Sequence, residues 1–321
     1  MPGASHSTLT IARLHARNAH AADGHIGLAK SACNRETIAE SPIAESPIAE
    51  LLSNKTEPAL TAALPTLFLS HGAPTIALQD TPTTRAWRLL GQQFPAPLAV
   101  LVISAHHYAR APTLTGAALP ATIHDFGGFP DALYQLRYAA PGAPELADRI
   151  ANILRLAGFA DAEVDSARGI DHGVWVPLRH MYPDAQLPVL SLSVSPCEDA
   201  RWHYQLGRAI ADLRESGVMV IGSGGLTHNL GALDWHAHEN RTAPWAQAFA
   251  EWFVARLQQL DLDALFEWRQ AAPEALRNHP THEHLLPIFV AMGAARAGFN
   301  TQVIEPRFEL GSLALHALRF D

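Results

Sequence analysis

From Leu64 onward, short apolar runs alternate with amphipathic stretches, and this alternation limits the fold to an α/β arrangement more than any other feature does. Residues 67–69 form one run, ending at Ser70-His71-Gly72, and residues 98–104 form a second, ending at Ala105-His106. Continuous apolar runs of this kind suit strands buried on both faces. Between and after them come helical patterns. In residues 144–156, Leu146, Ile150, Ile153 and Leu154 fall on one face. Residues 187–194 are the next predicted strand, 200–215 the next helix and 218–221 the strand after that. Residues 243–260 make a long helix with Trp245, Phe249, Trp252 and Phe253 to bury, and 283–295 make another. The last strand is 307–310 or 313–318. With no linker after residue 64, the expectation is one α/β domain over 64–321, built on a central mixed or mostly parallel sheet flanked by helices.

Residues 1–63 have a different character. They are rich in Ala, Ser, His and Asn, and Ile-Ala-Glu recurs at 38–40, 43–45 and 48–50. Pro42 and Pro47 interrupt any helix through that echo, so the segment reads as a low-complexity, disordered extension whose four histidines are solvated. Its first 22 residues carry Arg13, Arg17 and two serines but no acid, a superficial likeness to an organelle transit peptide. No apolar core of a secretory signal or membrane span is present, and a cytoplasmic enzyme is expected. The formal net charge of -8 argues against nucleic acid or an anionic membrane as partner and favours a small molecule. Oligomeric state is open between a monomer and a small homo-oligomer. The two cysteines, Cys33 and Cys197, are too few for a disulfide framework or a cysteine zinc site, so any metal must be held by His, Asp or Glu.

Histidine supplies that candidate set by position. His71 follows the first predicted strand, His106 the second, and His228 comes just past the Gly222-Ser223-Gly224-Gly225 turn expected after another. In open α/β sheets such carboxyl ends converge on one crevice, so the metal site is expected there. Neutral imidazole is a good ligand for Fe, Zn, Cu and Ni. Gly72 permits a sharp turn after His71, and the glycines before His228 permit close backbone approach. Asp171-His172-Gly173-Val174-Trp175 places an acid, an imidazole and a large ring together, so His172 is a candidate general base or substrate contact. Asp171 also suits the N-cap of a helix through Leu178. In His279-Pro280-Thr281-His282-Glu283-His284, His284 precedes an apolar run and is expected to point inward, whereas His282 and Glu283 read as surface residues. His124 and Asp125, followed by Phe126-Gly127-Gly128-Phe129-Pro130, form a loop suited to wall a pocket for a planar substrate.

Taken in order, Ser70-His71-Gly72-Ala73-Pro74, Ser104-Ala105-His106, the 124–130 loop, Asp171-His172-Gly173-Val174-Trp175-Val176-Pro177-Leu178, Gly222-Ser223-Gly224 with Thr227-His228-Asn229-Leu230, and His279-Pro280 with Glu283-His284 resemble one family. It is the DODA-type, or 4,5-DOPA dioxygenase extradiol-like, branch of the class III extradiol ring-cleavage dioxygenases. The resemblance implies an oxidoreductase that opens a catechol-type ring, DOPA-like or simpler, with O2 at one mononuclear divalent metal. Fe(II) would serve the oxygenase, and Zn(II) would fit the same pocket. His71 and His106 match the first two ligands, and His228 and His284 match the positions that complete the metal site. His228 also matches an acid-base role, and His172 a histidine near the substrate. His107 departs from the pattern, standing where the family commonly has tryptophan, and residues 1–63 have no counterpart in it. The usual non-haem iron site has two His and one carboxylate, whereas His284 stands here in place of the acid. A zinc hydrolase using the same histidines is therefore the rival reading, ahead of a non-enzymatic metal-binding module.

Overall fold

The computed structural model describes residues 63–234, 237 and 241–321. The low-complexity segment read over 1–63 therefore lies, but for its last residue, outside the described residues. Four strands make the centre: β1 (Thr66–Ser70), β2 (Ala99–Tyr108), β5 (Val189–Val194) and β6 (Val218–Gly224). They run parallel in the order β5-β2-β6-β1. Antiparallel pairing widens the sheet on both sides. β3 (Thr113–Thr115) and β4 (Glu163–Asp165) extend it beyond β5, while β10 (Ala317–Phe320) and β7 (Thr301–Ile304) extend it beyond β1. β8 (Phe308–Glu309) and β9 (Leu313–Ala314) pair separately.

Successive side chains of a strand face opposite ways, and both faces of the central strands are apolar. Leu67, Leu69, Val100, Val102, Met219 and Ile221 meet one face, where α1 (Pro82–Gln93) and α4 (His172–Met181) contribute Trp87, Leu90, Val174 and Trp175. Leu101, Ile103, Val218 and Val220 meet the other, against α3 (Pro144–Leu156) and α5 (Ala200–Ala209). α10 (Leu286–Ala294) shares that face, and α6 (Pro244–Gln258) covers its outer part through Phe249 and Phe253. The short helices α2 (Asp131–Tyr134), α7 (Leu262–Phe266), α8 (Trp268–Ala271) and α9 (Ala275–Asn278) fill the connections. The result is the α/β architecture expected, a mostly parallel sheet between helical layers. Among the described residues no helix is long and apolar enough to cross a membrane.

Several boundaries differ from expectation for identifiable reasons. β2 does not stop at Ser104 but continues through His106 to Tyr108, with an irregularity in its pairing to β5 between Ser104 and Tyr108. β6 continues through Gly222-Ser223-Gly224, which are strand and not turn. Their glycines serve close approach: a Cβ on Gly222 would strike the Pro287 carbonyl, and one on Gly224 the His284 carbonyl. α10 begins at Leu286, not residue 283, because Pro287 is well placed only in a first turn. The 200–215 helix breaks after Ala209 into a 3-10 turn over Ala211–Arg214. Of the two candidates for the last strand, neither matches outright, since 308–309 and 313–314 form the small hairpin and β10 closes the main sheet. The short flanking strands β3, β4 and β7 have no counterpart in the sequence reading.

α10 is buried at every residue, as a helix apolar all round must be. It meets α5 backbone to backbone: a Cβ on Gly293 would strike the Tyr204 carbonyl and come within 2.9 Å of Arg208 N, and one on Gly207 would strike the Val290 carbonyl. Gly293→Ala is therefore expected to destabilise the fold by about 1–3 kcal/mol through overpacking, more than the roughly 1 kcal/mol that alanine ordinarily adds to a helix. A chemical denaturation midpoint equal to or above that of the wild type would contradict this packing.

Candidate metal centre

The carboxyl ends of β1, β2 and β6 lie side by side, and the chain delivers one group from each to the same place. His71 leaves β1 into a turn made by Gly72, whose φ of 65° is in the left-handed region that glycine tolerates. His106 projects from β2 itself. Ser223 comes from β6, and His284 arrives from the turn that leads into α10. His71, His106 and His284 each offer a ring nitrogen to one cluster whose atoms all lie within 4.8 Å of one another. His71 Nε2 is 3.0 Å from His106 Nε2, and His284 Nε2 is 3.2 Å from His106 Nε2.

The far side of each ring shows where its proton resides. Ser223 Oγ donates to the Gly173 carbonyl at 2.5 Å, so it must accept at 3.0 Å from His71 Nδ1–H. His284 Nδ1–H donates to Glu283 Oε1 at 3.1 Å, and a carboxylate can only accept. His106 Nδ1 lies 3.4 Å from Asp125 Oδ2. With Nδ1 protonated, each Nε2 presents a bare lone pair, and three lone pairs face one another. That contact is repulsive unless a cation lies among them. Burial, followed by the neighbouring His172 and His284, pushes His71 and His106 well below the ordinary histidine range, which keeps them neutral as ligands must be. Two nitrogens each about 2.1 Å from a shared ion at near-octahedral or tetrahedral angles lie about 3.0–3.4 Å apart, so the donor set fits a divalent metal. Partners on Nδ1 are also what orients imidazole ligands.

The other histidines are sorted by the same geometry. His228 stands outside the triplet, its ring stacked on His284 with centroids 3.4 Å apart and planes within 5°. It groups instead with Glu283 and His284. His172 sits at the start of α4, its centroid 4.0 Å from that of His106 and 5.3 Å from that of His71. Its Nδ1 donates to Asp125 Oδ2 at 2.9 Å. His107 points away, to Ser191 Oγ at 3.0 Å, because neighbours along a strand face opposite sides. His279 and His282 are also elsewhere, bonded to the carbonyls of Leu226 and Pro196 at 2.9 and 2.8 Å.

The 124–130 loop packs beside His172. Phe126 meets His172 edge to face at 5.6 Å and packs against Phe129 and Tyr134, each at 5.4 Å. His124 lies among Phe126, Tyr134 and Trp175, and its Nε2 bonds to the Leu136 carbonyl at 3.1 Å.

Asp171, expected beside His172 and as a helix cap, has other partners, and Glu283, Arg168 and Ser223 join it behind the rings. Asp171 occupies the N-cap position of α4, but its side chain does not cap it. Instead it accepts from Ser104 Oγ at 2.6 Å and from Arg168 at 3.2 Å. Arg168 also donates to the His106 carbonyl at 3.1 Å, while the His106 N–H donates to Ser104 Oγ at 3.2 Å, so His106 is held at both ends of its backbone. Burial and the neighbouring Asp125 push the Asp171 carboxyl up, against the opposing pull of Ser104. Glu283, read as a surface residue, is buried and orients His284. Its carboxyl is lowered because the hydrogen bond and charge of His284 outweigh the burial that would raise it. An acid beside a histidine was the available signal for Glu283. Nothing local marks Ser223 or Arg168.

Comparison with known proteins identifies the family. The family described as the catalytic LigB subunit of aromatic ring-opening dioxygenase matches residues 65–309. A protein of Escherichia coli (strain K12) named 4,5-DOPA dioxygenase extradiol is 40% identical over 256 residues, covering 78% of this chain and 93% of that one. A Beta vulgaris protein of the same name is 39% identical over 261 residues, covering 79% and 96%. The crystal structure of an uncharacterized Escherichia coli K12 protein superposes with a TM-score of 0.68 at 33% identity, over 80% of this chain and all of that one. On a match of this extent, the chain belongs to the LigB family of aromatic ring-opening dioxygenases, as an extradiol enzyme of the 4,5-DOPA dioxygenase type.

Proposed function

We propose that residues 64–321 form a metal-dependent dioxygenase that opens a catechol-type ring with O2. The observation that carries this reading is the meeting of the three bare imidazole nitrogens of His71, His106 and His284 beside a carboxylate-bound His172. Those three histidines would hold the ion, while His228 lies beside them, stacked on His284. When bound, Fe(II) supplies the unpaired electrons that let O2 react with a singlet aromatic; Zn(II) suits the same nitrogens but lacks that chemistry.

The chain's own groups account for the rest. His172, with Nδ1–H committed to Asp125, keeps Nε2 as the basic nitrogen, suited to take a phenolic proton from the substrate. His228 is the second candidate for moving a proton, or for meeting negative charge as it develops on oxygen. The aromatic loop around Phe126, carrying His124 and Asp125, offers flat apolar surface to a planar ring and keeps water from it. The substrate class that fits is a small catechol, DOPA among them. The zinc hydrolase reading draws no support from the relatives, whose names are those of dioxygenases.

Loading with Fe(II) under anaerobic conditions, then adding substituted catechols and O2, is expected to consume O2 in step with substrate and to give a yellow semialdehyde. Absence of O2 uptake across the whole series would sink the proposal.

A further inference from the structure

One carboxylate touches both kinds of histidine in this site. Asp125 Oδ2 accepts from His172 Nδ1 at 2.9 Å and lies 3.4 Å from His106 Nδ1. Its other oxygen, Oδ1, accepts from the His172 backbone N–H at 2.9 Å. That N–H belongs to the first residue of α4, one of the first-turn amides with no partner inside the helix, among which the residue just before the helix normally caps the second or third. Here Asp171 has that position but is turned to Ser104 and Arg168, and Asp125 reaches in from a loop 47 positions upstream. Capping alone would occupy one oxygen. The second is spent on two imidazoles, of which one belongs to the nitrogen triplet and the other does not.

We propose that Asp125 is a positioning residue that fixes the tautomer of His172 and ties that ring to His106, so that a single carboxylate sets the proton-accepting group against the metal ligands. The inference rests on the dioxygenase reading given above for the step that His172 performs. In that step the phenolic O–H bond breaks, its proton passes to His172 Nε2, and the phenolate retains the electron pair. Nδ1–H stays where it is, and the imidazolium so formed has the Asp125 carboxylate as counter-ion. The role differs from substrate binding because both Asp125 oxygens are already engaged by α4, its side chain being 23% exposed.

The decisive variant is Asp125→Asn, which is nearly isosteric and keeps one accepting oxygen. In place of the two oxygens an amide presents one oxygen and one NH2, so it cannot accept at both positions, from the backbone N–H and from the ring Nδ1–H. Retaining the cap turns an NH2 toward the ring, and His172 must then carry its proton on Nε2, where it can no longer accept one. With the Fe(II)-loaded enzyme, kcat is expected to fall about a hundredfold or more while KM stays within about threefold and metal content is unchanged. Asp125→Glu, which restores both acceptors, is expected to recover part of the loss. Independently of turnover, 15N spectra of histidine-labelled, Zn(II)-loaded protein should show His172 as Nδ1–H in the wild type and Nε2–H in Asp125→Asn, with a His172→Gln spectrum assigning the signal. A kcat per bound metal within threefold of wild type, or an unchanged tautomer, would overturn the proposal. If the wild type opens no catechol at all, the dioxygenase reading fails and the spectra still decide whether Asp125 sets the ring.

Discussion

Replacing His106 by alanine is expected to yield a folded protein that no longer retains a divalent metal. His106 Nε2 is the shared member of both close contacts, 3.0 Å from His71 and 3.2 Å from His284, so its loss leaves two donors that it alone had linked. Loss of a partner behind a ligand typically costs 10–100-fold in metal affinity, roughly, and loss of the ligand itself must exceed that. Folding should survive, because the side chain is 16% exposed and its removal relieves facing lone pairs where no ion is bound. Metal analysis after dialysis, with circular dichroism as the control, reads the outcome. A full complement of metal in the variant, and equally in His71→Ala, would mean that the ion is held elsewhere.

His172→Ala separates chemistry from metal binding. The ring lies 4.0 Å from His106 between centroids, yet its Nδ1 is committed to Asp125, and the group it forms with His106 and Asp125 is separate from that of His71, His106 and His284. Metal content should therefore match the wild type, while turnover falls by roughly a hundredfold or more, the usual contribution of a positioned general base. Parallel loss of metal and activity would make His172 a ligand and return His228 as the leading candidate for the proton-transfer role.

What the sequence reveals about this site divides along a physical line. Strand ends and amphipathic helices are legible because their signal is local: α3 occupies the residues 144–156 expected of it, since Leu146, Ile150, Ile153 and Leu154 share one buried face. His71 could be placed for the same reason, directly after an apolar run and before a glycine. Which ring each support would meet could not be read in the same way. Ser223 meets His71 across 152 positions, and Asp125 meets His172 across 47, and no periodicity records either encounter. Gly222 and Gly224 were legible only in part: the close backbone approach expected of them is there, but beneath a crossing segment within a strand and not in a turn, and the two look alike in one dimension. Asp171 suits a helix cap by type and position, and only the three-dimensional partners Ser104 and Arg168 show that its carboxylate is turned elsewhere.

The buried helix that follows His284 has a consequence for how this enzyme can diversify. Because α10 has no solvent-facing residue and locks to α5 through paired glycines, the backbone that carries the third nitrogen cannot shift without disturbing the interior as a whole. The aromatic loop bears no such burden. Mutational drift can therefore remodel the walls that greet an incoming ring, Asp125 apart, while the metal cradle is inherited unchanged, which makes the periphery the natural place to look when two such enzymes differ in the compounds they accept.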